Sequence, residues 1–447
     1  MLVCVGPPLE TPVNTPRPAA ANEGLASILS AVAFFFVMTA YYIIRPVRDQ
    51  LSGAVGSQSL PLFYASVFGV MLLLTPVFGA LVSRFPRKRL LGWSYSFFVA
   101  CLFAFVPLFM AQDRIGARAL GVGFFIWVSV FNLFVVSLFW SFMADIFKSV
   151  QARRVFPLIA LGGMAGAIFG PLVTKFLVQM IGVASLLVVS AAALVIALIL
   201  LLTLSSRHDC RDEARNEEPI GGSLWAGIKE LWTRPFLRYM AILMVLGDGI
   251  GTLAYALMAD YTKAHLPDRV ARTSFYNDLD LYANLLGAVL QLTLTRWLLV
   301  RKGAGPGLVL PSVVNFVLLV IVGIGSVNLF GFMVPMLSIM LVGSRGFAYG
   351  MTKPAVDALY TRVPRETRYK GKNFVETAIW RFGDVLVTSG VSVLGTLGMA
   401  ATGMAGLGAG VAVVATWVAA HAGHSPDLLP EQQATDGTES QAQTAKA

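Results

Sequence analysis

The chain has 447 residues, of which 56% are hydrophobic and 13% charged, and its mean hydropathy is +0.72. Soluble domains carry about 25% charged residues, so a water-soluble single-core enzyme is excluded and most of the surface must face lipid. The net charge of +10 is what basic loops on one side of a membrane produce, and it does not require a nucleic-acid partner.

Residues 1–24 hold Pro7, Pro8, Pro12, Pro16 and Pro18 and lack the charged start, short apolar run and small-residue cleavage site of a signal peptide. They are expected to form a disordered cytoplasmic tail, with residues 421–447, rich in Gln, Thr, Ala and acid, as a second. Cys4, Cys101 and Cys210 have no paired spacing, so they give neither a disulfide framework nor a thiolate metal site.

Crossing ~30 Å of hydrocarbon takes about 20 mostly apolar residues in a helix. Twelve such spans are predicted. The first six cover 25–44, 60–82, 90–111, 119–144, 155–180 and 183–204, and the second six cover 236–258, 276–300, 307–326, 331–352, 373–398 and 401–420. The domains are therefore a six-helix bundle over 25–204, a charged cytoplasmic linker over 205–235 and a second six-helix bundle over 236–420. Placing both termini inside puts 24 Lys and Arg on the cytoplasmic side and 8 outside, with Arg345 and Arg381 within spans. That bias fits a multi-pass protein of the cell inner membrane with cytoplasmic termini.

The expected fold class is all-α, a polytopic membrane protein of about 12 transmembrane helices in two six-helix bundles, which is the ground plan of the major facilitators. The loop Gly79-Ala80-Leu81-Val82-Ser83-Arg84-Phe85-Pro86-Arg87-Lys88-Arg89 resembles that superfamily's Gly…Asp-Arg…basic-pair pattern, with Ser83 at the Asp position and Pro86 at the Gly. The halves also echo each other. Asp145 ends span four before Arg153, and Asp357 ends span ten before a basic loop with Lys370 and Lys372. Two readings stay open for this echo: a pair of cytoplasmic gates, or ordinary basic loops set by insertion charge.

An ionisable residue inside a span costs ~2.5–3.5 kcal/mol on insertion scales, so it normally faces a wet cavity or a partner. Span eleven places Thr377, Arg381, Asp384 and Thr388 on one helical face, and span eight does the same with Asp280, Asn284, Gly287 and Gln291. Span ten offers Ser338, Arg345, Tyr349 and Thr352, and span seven Asp248, Thr252 and Tyr255. Four polar stripes predict one shared aqueous cavity. Against this stand blander readings: Arg381 and Asp384 as a structural pair, Asp280 as a side chain solvated near the outer end of its span. Arg345 has no acid on its own helix, so it needs a carboxylate from elsewhere or an anionic substrate. Gly162, Gly163, Gly166 and Gly170 read as a close-packing face. Gly247-Asp248-Gly249-Ile250-Gly251 reads either as packing or as a flexible break. No Gly-Lys-Ser/Thr phosphate loop is present, and His208, His265, His421 and His424 lack metal-ligand spacing, so no cofactor or metal is expected.

Three stretches resemble the nucleotide (ATP/ADP) translocases of intracellular bacteria and plastids. They are Ile44-Arg45-Pro46-Val47-Arg48-Asp49, then Phe139-Trp140-Ser141-Phe142-Met143 with Arg153-Arg154-Val155-Phe156-Pro157-Leu158, and the run from Thr352-Lys353-Pro354 through Lys370-Gly371-Lys372 to Arg381-Phe382-Gly383. The resemblance implies that Arg48, Lys353, Lys370, Lys372 and Arg381 meet phosphate oxygens. The acidic residues that nucleotide exchangers carry in spans four and seven fall here on Val128 and Tyr255.

The expected function is a transporter of a nucleotide-like or other anionic small molecule by alternating access. Arg48, Arg345, Lys353, Arg381, Asp280, Asn284 and Tyr349 would contact substrate, and Asp248, Asp384, Asp145, Asp357, Arg153, Lys370 and Lys372 would couple or gate. The alternatives are a proton-coupled carrier of a neutral or amphiphilic compound and a non-transporting scaffold. The expected partners are a small-molecule substrate and the lipid bilayer, with no nucleic acid.

Overall fold

The computed structural model describes residues 19–147, 149–207, 231–329, 332–363, 371–372 and 374–429. The first half runs through α1 (Ala19–Val55), α2 (Leu60–Arg84) and α3 (Arg87–Met110). It continues with α4, built from Ala117–Phe131, a π turn at Asn132–Val136 and Ser137–Ile146. The helical stretch Ser149–Arg207 bends at Gly182, whose φ of 76° favours glycine, and so divides into α5 (149–181) and α6 (183–207).

The second half holds α7 (Pro235–Leu243, a π turn at Met244–Asp248, then Gly249–His265) and α8 (Arg269–Leu290, a π turn at Gln291–Thr295, then Arg296–Lys302). Then come α9 (Gly305–Ile321), α10 (Met336–Phe347, a π turn at Ala348–Thr352, then Lys353–Tyr360), α11 (a π turn at Val375–Ile379, then Trp380–Thr396) and α12 (Ala401–Ala422). Among the described residues, nine helical stretches are long and apolar enough to cross a membrane, with α5 and α6 counted as one. The helices α10 and α11 carry Arg345, Lys353, Asp357, Arg381 and Asp384, and fall outside that count.

Twelve rods in two sets of six match the expected architecture, with informative departures. The first span was predicted to stop at residue 44, but α1 continues for eleven residues to Val55. It carries Arg45, Arg48 and Asp49 as buried or half-buried helical residues rather than as an outer loop. Between α9 and α10 the chain leaves the helical state for a short antiparallel hairpin, β1 (Ser326–Leu329) and β2 (Phe332–Pro335), in which Ser326 faces Pro335. The β-branched and Gly-rich run Val322–Val327 favours this over a longer span. At the carboxyl end, α12 extends to Ala422 and residues 423–429 fold back on the second half. There Asp427 accepts the Phe236 N–H at 3.1 Å and Arg362 pairs with Leu429 through its backbone and Nε. The predicted second tail thus starts later than residue 421. Most of the linker, residues 208–230, lies outside the described residues.

The helix α1 is wrapped by its own bundle because α5 offers it a face without side chains. A Cβ at Gly162 or Gly166 would strike the backbone carbonyls of Ala31 and Phe35, and one at Gly170 would come within 2.9 Å of Thr39 O. This is close helix packing by small residues. Among the described residues the first half has one large apolar core, running from Ala26 to Leu204, and a small separate cluster of Phe63, Val67 and Phe125. The second half has two. The cluster near the termini, around Phe236, Leu308, Leu359 and Val418, draws on that half alone. The far cluster, around Tyr255, Tyr276, Met340 and Val391, takes in Leu60 and Tyr64 of α2. Across the seam between halves, α2 packs on α11, α5 on α8, and α1 on α7 and α8.

Candidate functional site

Charged residues from both halves meet on the seam. On α1, Tyr42, Arg45, Asp49 and Ser52 recur at spacings of three and four and share a face. Pro46, inside the helix, supplies no N–H for the preceding turn, which loosens the backbone there. The carboxylate of Asp280 on α8 is 1% exposed and is held from two sides, with Arg345 Nη1 of α10 at 2.9 Å and Arg45 Nε of α1 at 3.4 Å. Arg45 also donates to the Tyr349 hydroxyl of α10 at 3.1 Å. One turn along, Arg48 grips Asp49 at 2.7 Å, and the Tyr255 hydroxyl of α7 donates to the same Asp49 oxygen at 2.9 Å. The Arg48 guanidinium stacks over Phe125 and that of Arg345 over Tyr255. Charges this deep persist only when partnered, and Asp280 with its two guanidiniums satisfies that across three helices.

A second group lies one to two turns nearer the termini, between α7 and α11. Asp248, at the end of the π turn in α7, accepts the Trp380 indole N–H. Asp384 accepts from Thr252 at 2.7 Å, and Arg381 reaches its other oxygen at 3.4 Å while stacking on Trp380. The glycine-rich stretch around Asp248 is therefore a π turn followed by regular helix. A π turn displaces side chains from the ordinary register and is often found at functional positions.

Beyond both groups, toward the end remote from the termini, polar links join the halves. Ser57 N–H donates to Asp260 at 2.7 Å, Arg269 pairs with Asp113 at 3.0 Å and Lys175 with Asp278 at 3.0 Å. Gln58 bonds Ser392. Gly53 allows the closest approach, since a Cβ there would lie 2.6 Å from Thr262 Oγ1 and 2.8 Å from Tyr276.

Several sequence expectations change. Arg345, read as lacking an acid on its own helix, has its partner in Asp280 of a different one. Asp280, for which solvation near an outer end and a ligand role both stand open in the sequence, lies eleven residues inside α8 and is buried. Asn284 donates to the Ala167 carbonyl at 2.8 Å, as Asn277 does to Pro171, so it ties α8 to α5 rather than lining open space. Lys353 bonds Glu376 at 2.7 Å and lies 3.6 Å from Asp357, while Lys372 bonds Asp357 at 2.6 Å. This knot joins α10 to the start of α11 within one half. Asp145 is exposed near the end of α4; the Arg153 side chain and Lys370 lie outside the described residues. Val128 is sealed in the first core, whereas Tyr255 works directly on Asp49.

Arg45 and Asp49 were missed as site residues because the first span was cut at residue 44 by its charges. The available signal was the three- and four-residue spacing of Arg45, Arg48, Asp49 and Ser52, which a helix continued through Pro46 places on one face.

The family model described as Major Facilitator Superfamily matches residues 26–374. No curated protein matches the chain. Among solved structures it is similar to a bacterial homologue of the iron transporter ferroportin in an inward-facing state (14% identity, 91% of this chain and 100% of that one, TM-score 0.62). It is also similar to the nucleoside transporter NupG (14%, 90% and 98%, 0.55) and to the POT family transporter PepTSo (15%, 89% and 97%, 0.61). At such identities these likenesses speak to the fold alone. The chain belongs to the Major Facilitator Superfamily and is a membrane transporter, not an enzyme.

Proposed function

We propose that the protein moves a small organic anion across the cell inner membrane by alternating access, and that the conformation described is closed toward the outside and open toward the cytoplasm. Orientation is supported by the loop charges. With Arg45 and Arg48 inside α1, six Lys and Arg remain on the outer side against 24 on the inner. Closure is supported by the inter-half links and the shared apolar cluster, which gather at the end remote from the termini.

The observation that carries the reading is a charge balance. Four arginines on the seam, Arg45, Arg48, Arg345 and Arg381, stand against four aspartates, Asp49, Asp248, Asp280 and Asp384. Arg381 is the least committed: like Arg45 it reaches its carboxylate only at 3.4 Å, but Arg45 also donates to the Tyr349 hydroxyl. An incoming anion takes its remaining donors, for which a planar five-donor fork is suited. That leaves a carboxylate without its cation, so a proton must enter or a second anion must leave. Asp248, bonded to an indole N–H rather than to a guanidinium, is the group best placed to take the proton. Phosphorylated anions come first among candidates, because Arg48, Lys353 and Lys372 can exchange their present carboxylate partners for phosphate oxygens.

Uptake into proteoliposomes tests the reading. Screening phosphorylated and carboxylated anions should find one that wild-type protein accumulates, with Arg381→Ala inactive and Arg381→Lys partly active at equal reconstitution. Undiminished uptake by Arg381→Ala overturns it. A second reading, a proton-coupled carrier of a neutral or amphiphilic compound, is favoured by exposed aromatic faces beside the charges, Tyr349 at 42% and Phe382 at 51%. It requires that uptake carry no substrate charge and that Asp248→Asn abolish substrate-driven proton flux while sparing counterflow.

A further inference from the structure

A cavity lies well outside the seam, at the terminal end of the second half, between the α8–α9 turn, the end of α10 and the folded-back segment 423–429. Its volume is about 620 Å³, enough for a phospholipid headgroup or a comparable small ligand. Lys302, Arg362 and His424 line it, and among the described residues no acidic side chain does. Lys302 is exposed and makes no hydrogen bond or ion pair among the described residues, so its ammonium is available to a ligand. Arg362 commits only Nε, to the Leu429 carbonyl, leaving its terminal nitrogens. His424 commits Nδ1 to Ala420 O, leaving Nε2. Asp427, the nearest acid in sequence, is already engaged by Phe236 N–H and Ser425 Oγ. Gly305 and Pro306 add the start of the seventeen-residue α9, whose dipole favours an anion.

The height of this cavity relative to the bilayer is fixed by aromatic residues. Trp297 (46% exposed), Trp417 (57% exposed) and Tyr239 gather at the same end of the bundle, with Arg301 over Trp297 and His421 against Trp417. Exposed Trp and Tyr sit at headgroup level, and Lys302 lies five residues beyond Trp297, about 7.5 Å further along the helix. The cavity therefore opens at headgroup level or just beyond it, with apolar walls at Leu299 and Leu428 on its flanks.

We infer that this cavity binds a phosphate-bearing anion at the membrane surface, clamping the ends of α8, α9 and α10 to the folded-back carboxyl segment. Its position at headgroup depth makes an anionic phospholipid the source to test against soluble phosphate. The site is independent of the seam and of the substrate carried there.

The test uses the purified, delipidated full-length protein in a neutral detergent. Its melting temperature is followed while dioleoyl phosphatidylglycerol, dioleoyl phosphatidylcholine or inorganic phosphate is added. Phosphatidylglycerol should raise the melting temperature, and Lys302→Gln should need about tenfold more of it for the same shift, the loss expected for one charge-assisted contact. Without lipid, Lys302→Gln should melt with wild type, since Lys302 has no partner among the described residues; Lys302→Glu should abolish the response. A response to phosphatidylglycerol alone assigns the lipid source, and an equal response to inorganic phosphate assigns the soluble one. Superimposable titrations of wild type, Lys302→Gln and Lys302→Glu with every ligand overturn the inference. Arg381→Ala should keep the lipid response in full, so this site and the transport reading fail separately.

Discussion

The two ends of the second bundle are built from different materials. At the end remote from the termini its apolar cluster is shared with α2, and around it run Asp260 on Ser57, Lys175 on Asp278 and the double grip of Arg45 and Arg345 on Asp280. At the terminal end the cluster around Phe236, Leu359 and Val418 closes within the bundle, and the knot of Lys353, Asp357, Lys372 and Glu376 joins α10 to α11 of the same half. The lesson is that stability within a bundle and contact between bundles are assigned to different places. The terminal-end apolar packing can hold its bundle whatever the other does, whereas the far end adds to its shared apolar cluster a set of polar pairs between halves that can exchange one partner for another.

The comparison is broken most severely at Asp280. Replacing it with Ala leaves Arg45 and Arg345 buried without their carboxylate, and breaking a buried pair in this way costs about 3–5 kcal/mol. A large fall in the melting temperature of the purified protein is expected, with Asp280→Asn intermediate because its one amide oxygen can still accept from Arg345 while Arg45 loses its counter-charge. Equal melting of Asp280→Ala and wild type would mean that the cluster holds nothing together. A smaller effect, of a different kind, is expected at Gly53. Its Cβ would press on Thr262 and Tyr276 across the seam, and overpacking costs about 1–3 kcal/mol. Because the clash exists only while the far end is closed, Gly53→Ala should shift the population toward opening there, read as faster modification of a cysteine placed at Ser392. Unchanged labelling would show that the seam yields without opening.

Much of this was legible beforehand, for definite reasons. Helices in lipid must satisfy their own backbone, so twelve apolar runs announced twelve rods, and the Gly162–Gly170 face announced its close neighbour, though not that the neighbour was α1. The stripes on α7, α8, α10 and α11 contained Asp248, Asp280, Arg345 and Arg381, which the structure places along the seam. What could not be read was which stripe meets which. Arg345 and Asp280 are 65 residues apart, and their pairing follows from helix packing, not from any local pattern. Arg45 and Asp49 were hidden for the opposite reason. A hydropathy criterion ends a span at its first charges, although a buried charge with a partner two helices away costs the helix little. The same limitation concealed the folded-back carboxyl segment, whose attachment rests on Asp427 at the Phe236 N–H, on two hydrogen bonds between Arg362 and Leu429, and on Leu428 packed against the terminal-end cluster.

That attachment supplies the next step down in size. Asp427 accepts the Phe236 N–H at the start of α7, the role of an N-cap supplied from a distant segment, and losing a cap costs about 0.5–2 kcal/mol. Asp427→Ala should lower the melting temperature modestly and leave the far-end cysteine labelling untouched, since nothing it holds crosses the seam.

The smallest effect is expected from Lys175 and Asp278, which do cross it. Their side chains are 41% and 32% exposed, and an ion pair so open to solvent contributes about 0–1 kcal/mol. Lys175→Ala should therefore leave the melting temperature within error of wild type, in contrast to Asp280→Ala on the same helix pair's neighbourhood. The contrast is informative because the two pairs span the same seam and differ mainly in burial. If Lys175→Ala opened the far end as readily as Gly53→Ala, exposure would be the wrong measure of which links hold the halves together. The seal would then have to be treated as one cooperative ring, not as a dry core with a solvated rim.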